Sequence, residues 1–409
     1  MNSRTTLLDR LTGIFEFGGT LSDRRDLPME GVRGLAVILV FFVHYNSHFG
    51  SWISENSISF TISRFLWSIG HSGVDLFFVL SGYLIYGSII KKSRPYISFI
   101  KRRIERIYPT FLFVFAIYLI LSIFFPAKNK IPADLSAAIV YVLENLLLLP
   151  GLFNIEPLIT VAWSLSYEFF YYLFIPVVVG VFGLRRWSSS ARIVFFFILA
   201  AAIIAGPQIG VPLPFRMIMF ISGVLLYETM HVGCVRIERE PRSDRWVIIF
   251  VLITFPLIYA LSDGEAFLPF GLEDNLAQHL RIVVLSVGFF FLSLACFSYK
   301  STLSRVFAWT PLRWLGNISY SYYLIHGLTI QSLSMIVVNA INGRTFAPIM
   351  FWLVLPVVFG ITLTTSALLF ILVEKRFSLT ERPALPASAN LPTAHQINLS
   401  PKLSEAEHV

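Results

Sequence analysis

Ten apolar segments, each long enough to cross a bilayer, run through this 409-residue chain, at about 31–50, 72–90, 107–125, 167–184, 191–208, 213–230, 246–262, 281–299, 316–338 and 348–373. A spanning helix needs about 20 predominantly apolar residues, with a range near 17–25. Backbone polar groups in lipid must be satisfied internally, so each run is read as a helix. Composition agrees: 56% of residues are hydrophobic and 14% charged, with 39 Phe, whereas a soluble domain carries about 25% charged residues. An eleventh apolar stretch, 139–150, is shorter and ends in Leu149-Pro150-Gly151. The expected architecture is therefore an all-α polytopic membrane protein, a bundle of about ten transmembrane helices with one short re-entrant or interfacial helix.

Charge fixes the expected orientation. With the N-terminus in the cytoplasm and sides alternating, the loops at 91–106, 185–192, 231–245 and 300–313 and the tail after Glu374 all face inward. These hold most of the basic residues, Lys91, Lys92, Arg94, Arg185, Arg186, Arg236, Arg239 and Arg305 among them. The outward loops carry little more than Arg64, Lys128, Lys130 and Arg344, and 262–280 is acidic. The positive-inside rule holds at every turn only if 139–150 does not cross, which places both termini in the cytoplasm. The net charge of +8 then reports topology rather than a nucleic-acid partner. No short apolar segment with a small-residue cleavage site precedes the first run, so no cleaved signal peptide is expected. Cys234 and Cys296 read as structural, with no disulfide framework. The expected division is a cytoplasmic segment 1–25, a membrane domain 26–376 and a tail 377–409, whose Pro, Ala, Ser and Asn content predicts disorder.

Ionisable groups inside membrane helices are costly and usually face a cavity. Arg33 and His44 lie eleven residues apart in the first run, which returns them to one helix face separated by about 16 Å. His44 is the obvious general base by its titration range. His48 follows by four residues, but two histidines without a third ligand make a weak metal signal, and no metal is expected. Asp75 lies just inside the second run, where it orients His44 or pairs with an arginine. Arg102, Arg103 and Arg106 recur at helical spacing before the third run. They suit either an anchor on anionic lipid or a clamp on phosphates. Glu168 opens the fourth run near its expected outer end; it holds a substrate hydroxyl, orients a base, or favours the helix N-terminus. Arg216 lies at the start of the sixth run, and His326 lies in mid-span behind the hydroxyl-rich face that contains Tyr320 and Tyr323. Those groups are candidate walls of a polar cavity.

Several patterns occur in one order: Arg33-x10-His44, Gly73-Val-Asp75-Leu-Phe-Phe-Val-Leu-Ser81-Gly82, Phe99-x2-Arg102-Arg103-x2-Arg106-Ile-x-Pro109, Trp163-Ser-Leu-x-x-Glu168 and Gly316-x-Ile-Ser-Tyr-Ser-x-Tyr-Leu-x-His326. Together the chain resembles the acyltransferase-3 family of integral membrane acyltransferases over about residues 26–376. The resemblance implies a cytoplasmic acyl-CoA donor, acetyl-CoA by default, and a carbohydrate or lipid-linked glycan acceptor at a bacterial inner membrane. Some members append a hydrolase-like domain, so any acyl relay of that kind is expected to need a separate partner. Under this reading Arg102, Arg103 and Arg106 hold the donor's phosphates, and Arg33 holds phosphate or lines the channel. His44 is the base or the acylated nucleophile, with Asp75 or Glu168 orienting it or the sugar. Tyr320, Tyr323, His326 and Arg216 contact substrate. The rival class is a glycolipid transporter or flippase, which would also need a polar cavity; no repeated halves of the kind common in transporters are visible.

Overall fold

The computed structural model describes residues 7–16, 27–206, 214–231, 242–262, 274–297, 301–341 and 348–379. The chain is all-helical. In order the helices are α1 (Leu7–Phe15), α2 (Leu27–Phe49), α3 (Ile58–Gly70), α4 (Ser72–Lys91), α5 (Tyr96–Phe124), α6 (Leu135–Leu146), α7 (Ala162–Val181), α8 (Ser189–Ala205), α9 (Met217–His231), α10 (Arg242–Ser262), α11 (Asp274–Phe297), α12 (Thr302–Phe307), α13 (Thr310–Asn317), α14 (Ser319–Ile341) and α15 (Ile349–Leu369). α15 continues into a π-helical segment, Phe370–Ser378.

Among the described residues, seven helical stretches are long and apolar enough to cross a membrane. They begin at Leu27, Ile58, Tyr96, Ala162, Leu276, Ser319 and Ile349. The other three expected spans are the shorter apolar helices Ser189–Ala205, Met217–His231 and Arg245–Leu261. α9 is buried from Met217 through Val224 and again at Leu226, Tyr227 and Glu228. It is shielded by α4, α8 and α11 rather than by lipid. Lipid-type surface lies elsewhere: Ile123 and Phe124 on α5 and Phe197 and Ile198 on α8 are largely exposed, as expected of apolar side chains facing hydrocarbon.

The expected short element is α6. Twelve residues rise about 18 Å, too little for a hydrocarbon core of about 30 Å. The Asp134 carboxylate caps it by accepting from the Ala137 amide at 2.9 Å. Ser136 and that amide hold the Asp134 carboxyl below the usual range. Beyond α6, Asn145 ties the return loop together, donating to the Tyr141 carbonyl and accepting from the Leu158 amide at 2.7 Å.

Four elements were not foreseen. α3 runs almost directly into α4, so residues 58–91 form one long helical stretch where a loop was expected. α12 and α13 precede α14, which therefore begins at Ser319 rather than 316. α1 lies in the polar N-terminal segment and is tied to the other end of the chain: Lys375 donates to the Gly13 and Ile14 carbonyls, and Asn317 to the Phe15 carbonyl.

Close helix approach organises the centre. A Cβ built on Gly82 of α4 would lie 2.1 Å from the Phe220 carbonyl oxygen of α9, and one on Gly223 would lie 2.0 Å from that of Val79. Each helix thus presents its glycine to the other's backbone, the small-residue packing that brings membrane helices together. Lys91 at the end of α4, Lys92, Arg94, Arg185 and Arg186 in the connections, and Arg305 on α12 gather at one end of the bundle, the basic end. The parts of loops 231–245 and 262–280 at 232–241 and 263–273, and the tail from 380, lie outside the described residues, as do Cys234 and Arg344. Cys296 is buried inside α11.

Candidate functional site

Five helices, α2, α4, α5, α7 and α14, surround a cavity of about 360 Å³ in the half of the bundle toward the basic end. Three guanidiniums line it, those of Arg33, Arg103 and Arg106. Arg33 donates to the Ser319 hydroxyl at 2.9 Å, which fixes it against the first turn of α14. Arg103 lies over the rings of Phe99 and Tyr172, 5.2 and 5.6 Å from their centroids. Arg106 lies over Tyr320 at 5.5 Å and pairs with Glu374 at 2.8 Å. Glu374 is fully buried in the π-helical segment and also accepts from the Ser321 amide and hydroxyl. Tyr320 lines the cavity while its hydroxyl donates to the Ile107 carbonyl at 2.7 Å.

Glu168 lines the same cavity. It accepts from the Ser81 hydroxyl at 2.7 Å and from the Tyr172 hydroxyl. The helix that carries it starts at Ala162, earlier than the expected 167, so Glu168 does not open the span. Glu168 lies six residues, about 9 Å, inside the start of α7 and shares the cavity lining with Arg33. Three guanidiniums against Glu168 and Glu374 leave an excess of one positive charge around the cavity. Arg102 is not among the lining residues, although its spacing resembled that of Arg103 and Arg106.

Eleven residues beyond Arg33 on α2, His44 meets His326 of α14 edge to face, ring centroids 4.8 Å apart. His326 is fully buried. Its Nδ1 lies 2.8 Å from the Tyr322 carbonyl. A carbonyl can only accept, so Nδ1 carries the proton and Nε2 is left with its lone pair. Nε2 is buried and has no hydrogen-bond partner. The His326 ring also stacks on Tyr322 at 5.1 Å. Tyr323 does not line the cavity; its hydroxyl, buried between α7 and α14, donates to the Val161 carbonyl at 2.5 Å and contacts Ser164.

Asp75 takes the second of its two expected roles. Its carboxylate binds Arg216 at 2.9 Å rather than His44. Arg216 also lies over the Trp163 ring at 4.9 Å. Asp75 and Arg216 therefore join the starts of α4, α7 and α9 at the end of the bundle opposite the basic loops.

A second cavity, about 480 Å³, lies farther toward that opposite end. Tyr118 and Ser122 of α5, Lys128, Thr160, and Gln331 and Ser332 of α14 line it. Leu328, two residues past His326, belongs to its wall. Among the described residues no group of three or more His, Cys, Asp or Glu is placed to hold a metal ion.

Sequence reasoning missed Glu374, Ser319 and Tyr172 as parts of the site. Tyr172 had a readable signal, since it follows Glu168 by one helical turn. Glu374 had none, because a π-helical segment turns its side chain by a different angle per residue than an α-helix.

The fold and the site define a polytopic membrane protein with a cation-lined cavity and, farther along α2, a histidine pair of which His326 is fully buried. A family model described as an acyltransferase domain matches residues 28–371, and the chain belongs to this family, acyltransferase 3. It is similar to the O-acetyltransferase OatA of Staphylococcus aureus (strain NCTC 8325 / PS 47), 26% identical over 326 residues, covering 74% of this chain and 50% of that protein. It is similar also to the peptidoglycan O-acetyltransferase OatA of Listeria monocytogenes, 25% identical over 342 residues, with 75% and 50% covered. A putative peptidoglycan O-acetyltransferase of Bacillus subtilis, YrhL, is 24% identical over 330 residues, with 73% and 47% covered. The chain thus spans about half the length of these relatives. No solved structure matches.

Proposed function

We propose that this protein transfers an acyl group, acetyl by default, from cytoplasmic acyl-CoA to a hydroxyl of a cell-surface glycan. The observation that carries this reading is the arrangement along α2: Arg33 in a cavity with two more guanidiniums, and His44 about 16 Å farther along the same face. Membership of the acyltransferase family and similarity to O-acetyltransferases of peptidoglycan support the chemistry and the acceptor class. Both termini are taken to lie in the cytoplasm, which puts the basic end and its cavity on the side that supplies acyl-CoA.

In this mechanism the donor's phosphates engage Arg103 and Arg106, with Arg33 deeper along the thioester arm. The thioester carbonyl comes to rest beside His44. The glycan hydroxyl approaches from the cavity lined by Lys128, Thr160 and Gln331. His44 takes the hydroxyl proton as the oxygen attacks the carbonyl carbon. The C–S bond then breaks, and the proton passes from His44 to the departing thiolate. His326 holds His44 edge-on and is itself fixed by the Tyr322 carbonyl. An acyl-histidine route uses the same atoms in two steps: His44 attacks the thioester carbonyl as the C–S bond breaks and the thiolate leaves, and the glycan oxygen then attacks the acyl-imidazole, the C–N bond breaking as the hydroxyl proton passes to the thiolate.

The test uses inverted membrane vesicles, labelled acetyl-CoA and crude host glycan. Label enters glycan with the unaltered protein and not with His44→Ala. If unaltered, folded protein moves no label from any of several acyl donors, the reading fails and glycolipid transport takes its place. Incubation without acceptor separates the two routes, because only the stepwise one leaves label on the protein.

A further inference from the structure

The cation-lined cavity does not end at Arg103. A third cavity, about 190 Å³, lies closer to the basic end, among α4, α5, α7 and the turn after α7. Its walls continue those of the first cavity on each helix. On α4 the first cavity uses Ser81 and Ile85, and the third uses Ser88, Ile89 and then Lys92 just past the helix. On α5 Arg106 and Arg103 give way to Phe99 and Tyr96. On α7 Glu168 and Tyr172 give way to Pro176 and Gly180. Steps of three, four and seven residues keep one helix face. The two cavities are therefore lengths of one groove, and Arg103, over the Phe99 and Tyr172 rings, stands at their junction. From Ile85 to Lys92 the third cavity adds about 10 Å along α4.

Its mouth is cationic and has an aromatic wall. Lys92, Arg94 and Arg185 all line it. Arg185 is fixed by the way α7 ends: Gly183 has φ +60, the left-handed conformation that stops a helix, and the following turn directs the Arg185 Nε to the Ile89 carbonyl at 3.0 Å. That bond uses one of five guanidinium donors. Tyr96 is held by its hydroxyl, which donates to the Leu173 carbonyl of α7 at 3.2 Å. A Cβ on Gly180 would meet nothing within 4 Å, so the floor is open.

We propose that this mouth seats the 3′-phosphorylated adenosine end of the acyl-CoA donor, with Lys92, Arg94 and Arg185 on its phosphates and Tyr96 beside its base. The assignment rests on the acyl-CoA reading above. It divides the donor along the groove: nucleotide at the mouth, diphosphate at Arg103 and Arg106, thioester arm inward past Arg33. Three cations and a fixed ring suit a phosphorylated nucleotide, whereas an acyl-phosphopantetheine alone would leave them unused.

The experiment measures equilibrium binding of acetyl-CoA and of S-acetyl-4′-phosphopantetheine, which lacks the nucleotide, to full-length protein in uncharged detergent. Lys92 and Arg94 are exposed, so Lys92→Ala/Arg94→Ala tests the mouth without disturbing the core. The unaltered protein is expected to prefer acetyl-CoA, and the double variant to lose about tenfold in affinity for it. Its affinity for the truncated donor stays as in the unaltered protein. The proposal is overturned if the unaltered protein binds both donors equally, if the double variant binds acetyl-CoA unchanged, or if it loses both donors equally. If this pattern appears while the transfer assay stays silent, the mouth stands and the transfer reading falls.

Discussion

At the scale of single residues, spacing carried more than identity. Arg33 and His44 are on one face of α2 because eleven residues make three turns, and that alone separates the proposed donor-binding cation from the proposed base. What spacing does not supply is the second histidine. His326 reaches His44 from another helix, 282 positions later, and no local pattern joins them. Two variants test the pair. His44→Ala should lower transfer by about 10²–10⁴-fold, the range general-base catalysis supplies. His326→Ala should lower kcat while leaving the KM for acetyl-CoA near its starting value, because His326 lies beyond the cavity and acts through His44. Equal losses in KM would instead place His326 on the donor. The arginines offer a second comparison. Arg103 lines the cavity and Arg102 does not. Arg103→Ala is expected to raise the KM for acetyl-CoA about tenfold and Arg102→Ala by less than about twofold, measured in the same vesicles.

At the scale of elements, the close packing of α4 against α9 sets the cavity wall, since Ser81 directly precedes Gly82. Gly82→Leu has no space at 2.1 Å from a backbone carbonyl. It should force the helices apart and destabilise the protein by about 1–3 kcal/mol or more, seen as a lower thermal midpoint in detergent together with loss of donor binding. Gly360→Ala is the control, because nothing lies within 4 Å of its added methyl. The membrane runs were legible from hydropathy because lipid leaves a segment little choice. α6 was legible from its length. α3 was not: Ile58–Gly70 interleaves Ser, Thr, Arg and Gly with its apolar residues, and its helix depends on packing against α2, α4 and α10. α12 and α13 were hidden for a similar reason, being short and defined by contact with α2. The start of α7 was placed five residues late because it depends on the turn before Ala162 rather than on hydropathy.

At the scale of the whole molecule, the site is reached from two ends. The proposed donor groove takes in the two cavities between Lys92 and Arg33, and a separate cavity beyond the histidines reaches toward Lys128 and Gln331. A protein that moves an acyl group between substrates held on opposite faces of a membrane needs this division, because a single shared opening would let water hydrolyse the thioester. The division has meaning only if the basic end is cytoplasmic. Lys92→Cys and Ala133→Cys, each in a chain carrying Cys234→Ser and Cys296→Ala, test it with a membrane-impermeant maleimide. Both positions are exposed and at opposite ends of the bundle. Lys92→Cys should react in inverted vesicles and be protected in intact cells, and Ala133→Cys the reverse. Acetyl-CoA should slow the reaction at Lys92→Cys and leave Ala133→Cys unaffected. The opposite labelling pattern would open the donor groove to a compartment without acyl-CoA. The histidine pair would then have to draw its acyl group from a carrier outside the cell, and both the direction of transfer and the role of the basic mouth would be lost together.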